Sequence, residues 1–184
     1  MDWLQLVTLV AGSSVVATLT SRTFDHVRQR QQISSETGYL ALRVSFELES
    51  YAADCADFVV LWGNVRTGAT IAVMTELPKL PELPESDRYV NLPRDLLHEI
   101  LELPQLRSSG QKGADEFLEH VGDEDKFQGI LAEHAIRLGN KALNIARRLR
   151  SENHLPPRNF SIDGGWNYRD FLFERLAAAN ALKE

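Results

Sequence analysis

The stretch EDKFQGILAEHAIRLGNKALNIARRLRSEN, residues 124–153, decides the fold class. Phe127, Leu131, His134, Leu138, Ala142, Ile145 and Leu149 recur three or four apart, which is the period of one face of an α-helix. Acids cluster before and at its start, and Arg147, Arg148 and Arg150 sit at its end, both in the sense that favours the helix macrodipole. Pro156-Pro157 then stops it. A long amphipathic helix of this kind needs partners with matching seams.

Two such partners lie on either side. Upstream, Ala41, Val44, Leu48, Tyr51, Cys55, Phe58 and Trp62 form a coiled-coil-like seam, with Glu36, Arg43, Glu47, Glu49, Asp54 and Asp57 off it. Gly63-Asn64 and Gly68 are the expected end of that helix. Downstream, a last helix from Trp166 to Leu182 offers Tyr168, Phe171, Leu172, Leu176 and Ala179 to a core, with Asp163 as a capping candidate. Between these parts, Pro93 opens a short helix with Leu96, Leu97, Ile100 and Leu101 on its apolar face. Pro104 is expected to end it, Gly110 and Gly113 to flank a loop, and Ala114–Val121 to add a further turn or two. Ala69–Met74 reads as a short strand or an apolar connector. Leu77–Pro84 is a Pro-Leu repeat that cannot be helical; its PxxP spacing at Pro78–Pro81 suits an SH3-type ligand, but its leucines recur every third residue and suit a stiff connector packed on the bundle. The expectation is an all-α chain in which an N-terminal transmembrane helix is followed by a bundle of roughly four helices, with a Pro-rich connector at 76–93 inside the bundle domain.

The N-terminus is of a different character. No residue between Asp2 and Arg22 is charged, a run of 19 residues that spans about 28 Å as a helix, close to bilayer thickness. Arg22, Arg28 and Arg30 follow it and no base precedes it. By the positive-inside rule the N-terminus then points outward and the bulk of the chain is cytoplasmic, with the three arginines placed for lipid headgroups. Asp2 replaces the basic start of a signal peptide. Gly12, Ser13, Ala17 and Ser21 form a small-residue stripe that suits packing against another membrane helix, in a second copy or a membrane protein. The diluting Ser and Thr residues keep open a buried first helix of a soluble bundle. The division expected is an anchor and juxtamembrane helix at 1–33 and a bundle domain at 34–184, with the helix between them either continuous or broken near Ser34–Gly38.

Composition narrows the function classes. The 184 residues are 43% hydrophobic and 25% charged, with 26 acids against 20 bases and a net charge of -6, ordinary for a globular domain. The acidic balance argues against nucleic acid as a partner. Charge is nonetheless segregated: six acids and no base from Asp115 to Asp125, five bases and no acid from Arg137 to Arg150. The lone Cys55 sits among apolar neighbours and reads as a buried, inert thiol. Asp95-Leu-Leu-His98 has metal-ligand spacing, but no Glu-x-x-His unit accompanies it. Asp123-Glu-Asp125 begins like a calcium loop and fails at Gly129 and Glu133. Phosphate-binding, nucleophile-elbow and zincin motifs are missing from the sequence, and Asn159–Ser161 is a sequon that a cytoplasmic location would leave idle. No catalytic residue, cofactor or metal is assigned.

The order of features resembles a family of short bacterial proteins with an N-terminal anchor, in Leu9–Ser21, Arg28-Gln-Arg-Gln-Gln32, Tyr39-Leu-Ala-Leu-Arg43, Leu77–Pro84, Ala146-Arg-Arg-Leu-Arg150 and Leu155-Pro-Pro157. That resemblance implies the architecture and a bacterial inner-membrane location, and no activity. The function expected is a membrane-anchored, non-enzymatic interaction or scaffold protein. The alternatives are a helical subunit or effector partner of an enzyme complex, or a soluble adaptor with its first helix buried.

Overall fold

The computed structural model describes residues 3–68, 75–84, 89, 92–158 and 166–181, with side chains from Ser35 onward. Four helices are present, α1 (Trp3–Arg66), α2 (Arg94–Val121), α3 (Glu124–Glu152) and α4 (Tyr168–Ala181), and no strand is found among the described residues. They form a helical bundle. Among the residues described with their side chains, from Ser35 onward, no helix is long and apolar enough to cross a membrane. The strand-or-connector segment Ala69–Met74, the sequon and Asp163 lie outside the described residues.

The hub is α3, which packs on α1, α2 and α4, whereas α1 and α2 scarcely meet. Only Gly122 and Asp123 join α2 to α3, so the two helices must fold back antiparallel. Gly122 takes the left-handed conformation at the end of α2 (φ 69°), and Asp123 caps α3 by accepting from Lys126 N at 3.0 Å. The failed calcium loop is thus a helix-to-helix turn. The seam read from sequence holds for α3: Phe127, Leu131, Leu138, Ala142, Ile145 and Leu149 are buried, and His134 is half-buried.

A second seam on α3 is made of small residues, Ala132, Ala135, Gly139, Ala142 and Ala146, again three and four apart. It meets the small side of α1, where Ala41, Ser45, Ala52, Cys55 and Ala56 are buried. The clearest registration is at Gly139, where an added Cβ would lie 2.9 Å from Leu172 Cδ1 and 3.0 Å from Cys55 Cβ. Nearby, Ser45 Oγ donates to Ala41 O at 2.6 Å and lies 3.4 Å from Ala146 O. The pairs Cys55 with Gly139 and Ser45 with Ala146 set α1 antiparallel to α3. Asn140 completes the junction by donating to Leu172 O of α4 at 2.9 Å.

α1 is one helix from Trp3 to Arg66, the continuous one of the two courses that the sequence leaves open near Ser34–Gly38; Thr67 Oγ1 closes it on Gly63 O and Asn64 O, and Gly68 (φ 73°) turns the chain away. Other boundaries differ from the sequence expectation. α2 does not stop at Pro104, and 110–113 is not a loop. Pro104 forfeits one helical hydrogen bond, but Leu96, Ile100 and Leu103 before it and Gly110 and Ala114 after it are buried in one continuous helix face. Gly110 is there for proximity, since a Cβ would lie 2.9 Å from the His134 ring. α4 is capped by Asn167, whose Oδ1 accepts from Arg169 N and Asp170 N.

The Pro-rich segment behaves as the packed connector. Leu77 is 1% exposed, and Leu80 and Leu83 pack on the core. Arg107 donates to Pro78 O and Leu77 O, both at 2.7 Å, while Gln111 accepts from Leu77 N at 2.8 Å and donates to Thr75 O. The connector thereby pairs four of its backbone groups with two side chains of α2.

The two kinds of helical glycine separate by substitution. Gly113 has nothing within 4 Å of a would-be Cβ, so Gly113→Ala gains helix propensity and stabilises by about 0.5–1 kcal/mol. Gly139→Ala makes the same gain but overpacks the junction, which costs about 1–3 kcal/mol and more for Gly139→Val. Thermal or urea melts of the two variants are expected to move in opposite directions.

Candidate functional site

At the end of the bundle nearer the start of α1, three chain segments converge on one carboxylate. Glu49, counted off the seam in the sequence, is 2% exposed. It lies on the flank of α1 that faces α3, next to Leu48 and one turn from Ser45 and Ala52. Arg150, 6% exposed, grips it with two bonds, Nε to Oε1 at 2.8 Å and Nη2 to Oε2 at 3.0 Å. Arg158 adds Nη1 to Oε2 at 2.9 Å.

The backbone that delivers these groups follows from the end of α3. Leu155 N bonds to Arg150 O and His154 N to Ser151 O, the pattern of a Schellman cap, with His154 in the left-handed region (φ 53°) that a glycine usually fills. The chain reverses there, so that Pro156 O accepts from Arg150 Nη1 at 3.0 Å and Arg158 returns to Glu49. Both guanidiniums also lie over the ring of Phe46, 4.8 and 5.8 Å from its centroid. The group carries two positive charges and one negative. A carboxylate held by two bidentate or charge-assisted partners is a mechanical clamp more than a proton donor or nucleophile.

Along the opposite side of α3, cations pair with acids of α2: Arg148 with Asp95 and Glu99, and Lys141 with Glu102. The hydrogen bond from Arg148 holds the Asp95 carboxyl below its ordinary value of 3.8, and that from Lys141 holds Glu102 below 4.5. The basic end of α3 is therefore committed to α1 and α2 through Arg148 and Arg150; only Arg147 of that trio is exposed on the outer face. Asp95, half of the metal-like pair with His98, is taken by Arg148, and among the described residues no group of three His, Cys, Asp or Glu side chains is placed to hold a metal.

Cys55 is fully buried at the α1–α3 junction, and burial pushes its thiol up to about 12, so it is protonated and unreactive at neutral pH. Burial raises its neighbour Tyr51 as well.

At the far end of the bundle an open groove of ≈ 830 Å³ lies between the last turns of α1, the end of α2 and the start of α3. Trp62, Phe117 and Ile130 line it, with Arg66 set over the Trp62 ring at 5.7 Å. Sequence reasoning placed Trp62 on a seam and did not see the groove, because its walls come from three distant segments. The positions assigned to membrane packing, Gly12, Ser13, Ala17 and Ser21, and to headgroup contact, Arg22, Arg28 and Arg30, lie outside the described side chains. Comparison with protein-family models, with curated proteins and with solved structures finds no match.

Removing one partner of the clamp strands charge in the interior. Glu49→Ala is expected to cost about 3–5 kcal/mol, whereas Glu49→Leu combined with Arg150→Met recovers most of it, because an apolar pair of similar volume replaces a buried ion pair at little loss. Denaturant unfolding of the single and double variants measures the difference. The α2–α3 pairs give a pH dependence. Their carboxylates have folded values below the unfolded ones, so the unfolded chain takes up protons first as pH falls. Their contribution is complete about a unit above the ordinary values of 3.8 and 4.5 and is lost progressively as the pH falls through the lower folded values. The melting temperature is expected to drop as the pH is taken below those ordinary values, and to drop less in Arg148→Met.

Proposed function

We propose that this chain is a membrane-anchored interaction or scaffold protein with no catalytic centre of its own, a helical bundle carried on a single N-terminal span. The observation that carries the reading is continuity. The uncharged run 3–21 and the bundle-forming residues 40–59 belong to one helix, α1, with Arg22, Arg28 and Arg30 between them. A span joined to a domain without a flexible linker fixes where that domain stands relative to the bilayer. The arginines support an orientation with the bundle on the cytoplasmic side of a bacterial inner membrane. The stripe Gly12, Ser13, Ala17 and Ser21 supports packing against a second copy or a membrane-protein partner.

The non-enzymatic part of the reading rests on how the polar interior is used. Glu49 is held by Arg150 and Arg158, Asp95 and Glu102 are tied to α3, and the one cysteine is protonated and covered. Carbonate extraction of membranes from expressing cells tests the anchor: the chain is expected to stay in the pellet, and release into the soluble fraction would sink the reading. Cross-linking of the full chain in membranes tests the stripe: Ser13→Leu with Ala17→Leu is expected to abolish the cross-linked species, and unchanged oligomers would remove the stripe from the proposal.

A further inference from the structure

We propose that the Pro-rich connector, residues 75–84, is a latch: it swings off α2 as a unit while the helices stay packed, and its opening uncovers the Tyr51–Cys55 turn of α1. The connector belongs to the bundle, and its opening does not depend on whether residues 3–21 span a membrane. It is fastened unlike the rest of the fold. Its backbone is neither helix nor strand, and among the described residues none of its main-chain groups bonds to another main-chain group. Four of them bond instead to the side chains of Arg107 and Gln111, at 2.7–2.9 Å. Pro78, Pro81 and Pro84 have no amide hydrogen to offer. One apolar anchor, Leu77, is fully covered, whereas Leu80 and Leu83 are half-buried and Thr75, Glu76, Lys79 and Glu82 are exposed. Releasing two side-chain grips therefore frees the segment, and α2 keeps all of its own helical bonds. Segments held by few buried apolar contacts and by solvent-reachable hydrogen bonds open below the free energy of global unfolding.

Opening also brings a gain beneath the latch. Tyr51 is 1% exposed, and its hydroxyl has no hydrogen-bond partner among the described residues. A buried orphan hydroxyl carries a desolvation cost, which water removes once the site is open. The positive charge of Arg107, which holds the latch, reaches both Tyr51 and Cys55, so the fastening lies beside that turn of α1. Leu77 belongs to the same core cluster as these two residues. In the closed bundle Cys55 is fully buried. Opening admits water and returns the thiol toward ordinary reactivity. The chain has no other cysteine, so Cys55 reports the opening by itself.

The test uses the full chain in phosphatidylcholine nanodiscs and two probes: an aromatic disulfide reagent for Cys55, and hydrogen exchange at the Leu77 amide that donates to Gln111. In urea well below the unfolding transition, Cys55 is expected to react at a rate nearly independent of urea, since opening a short segment exposes little surface. The Leu77 amide is expected to show the same protection factor within about threefold. Arg107→Met with Gln111→Met is expected to raise both rates about tenfold or more, with the helical circular dichroism unchanged. Asn140→Ala removes a bond from α3 to α4 and is expected to change them less than about twofold. Cys55 labelling that carries the full urea dependence of global unfolding overturns the proposal. So does a Leu77 protection factor about tenfold or more away from that of Cys55, or a rise of that size in Asn140→Ala and not in the double variant. If the double variant does not fold, the agreement or disagreement of the two probes in the unmodified chain decides.

Discussion

The bundle depends on how closely α1 can approach α3. At Gly139 the backbone of α3 is held between the Cβ of Cys55 and the side chain of Leu172, with no space for even one carbon more. Alanines continue the contact in both directions along α3, and Ala41, Ser45, Ala52 and Ala56 answer on α1. Such a seam buries little surface per residue, so it gains stability through dispersion at short range more than through area. It also leaves α3 free on its other sides for leucines against α2 and for α4. One close contact thereby lets a single helix serve as the centre of four.

Close packing alone does not fix how far α1 slides along α3, because a row of alanines is nearly uniform. The charges supply what the small residues lack. Glu49 can meet Arg150 in one register, and Arg158 reaches the same carboxylate only after the left-handed turn at His154. Asp95, Glu99 and Glu102 set α2 along the opposite side of α3 in the same way. A buried charged clamp contributes little net stability but makes shifted alignments costly, since each would bury an unpaired charge.

Much of this was legible in the residue order. The leucine seam of α3, the seam of α1 from Ala41 to Trp62 and the apolar face of α4 are periodic signals, and periodicity survives without knowledge of partners. The Pro-Leu repeat was legible for the same reason, since proline leaves few conformations open. The misreadings have physical causes. Pro104 and Gly110 are helix breakers by propensity, yet tertiary packing against α3 outweighs a penalty of about 1–3 kcal/mol. Glu49 was placed off the α1 seam because a carboxylate reads as solvent-facing until its partners, 101 and 109 positions away, are known. A charge flanked by Leu48 and Ala52 on an otherwise apolar face was the one local hint. The groove had no signal at all, being assembled from the ends of three helices.

The central position of α3 also sets an order of events in synthesis. α1 and α2 make little backbone contact with each other, so most of the packing of both waits for α3. The last residue of α1 is Arg66 and α3 is complete only at Glu152, 152 − 66 = 86 residues later. At usual translation speeds that is roughly 4–17 s. Through that interval Val44, Leu48, Tyr51 and Cys55 emerge with their eventual neighbours still unmade. The nascent chain therefore carries an exposed seam on its first helix until the third arrives, and whatever shields that seam during those seconds acts on a surface absent from the finished protein.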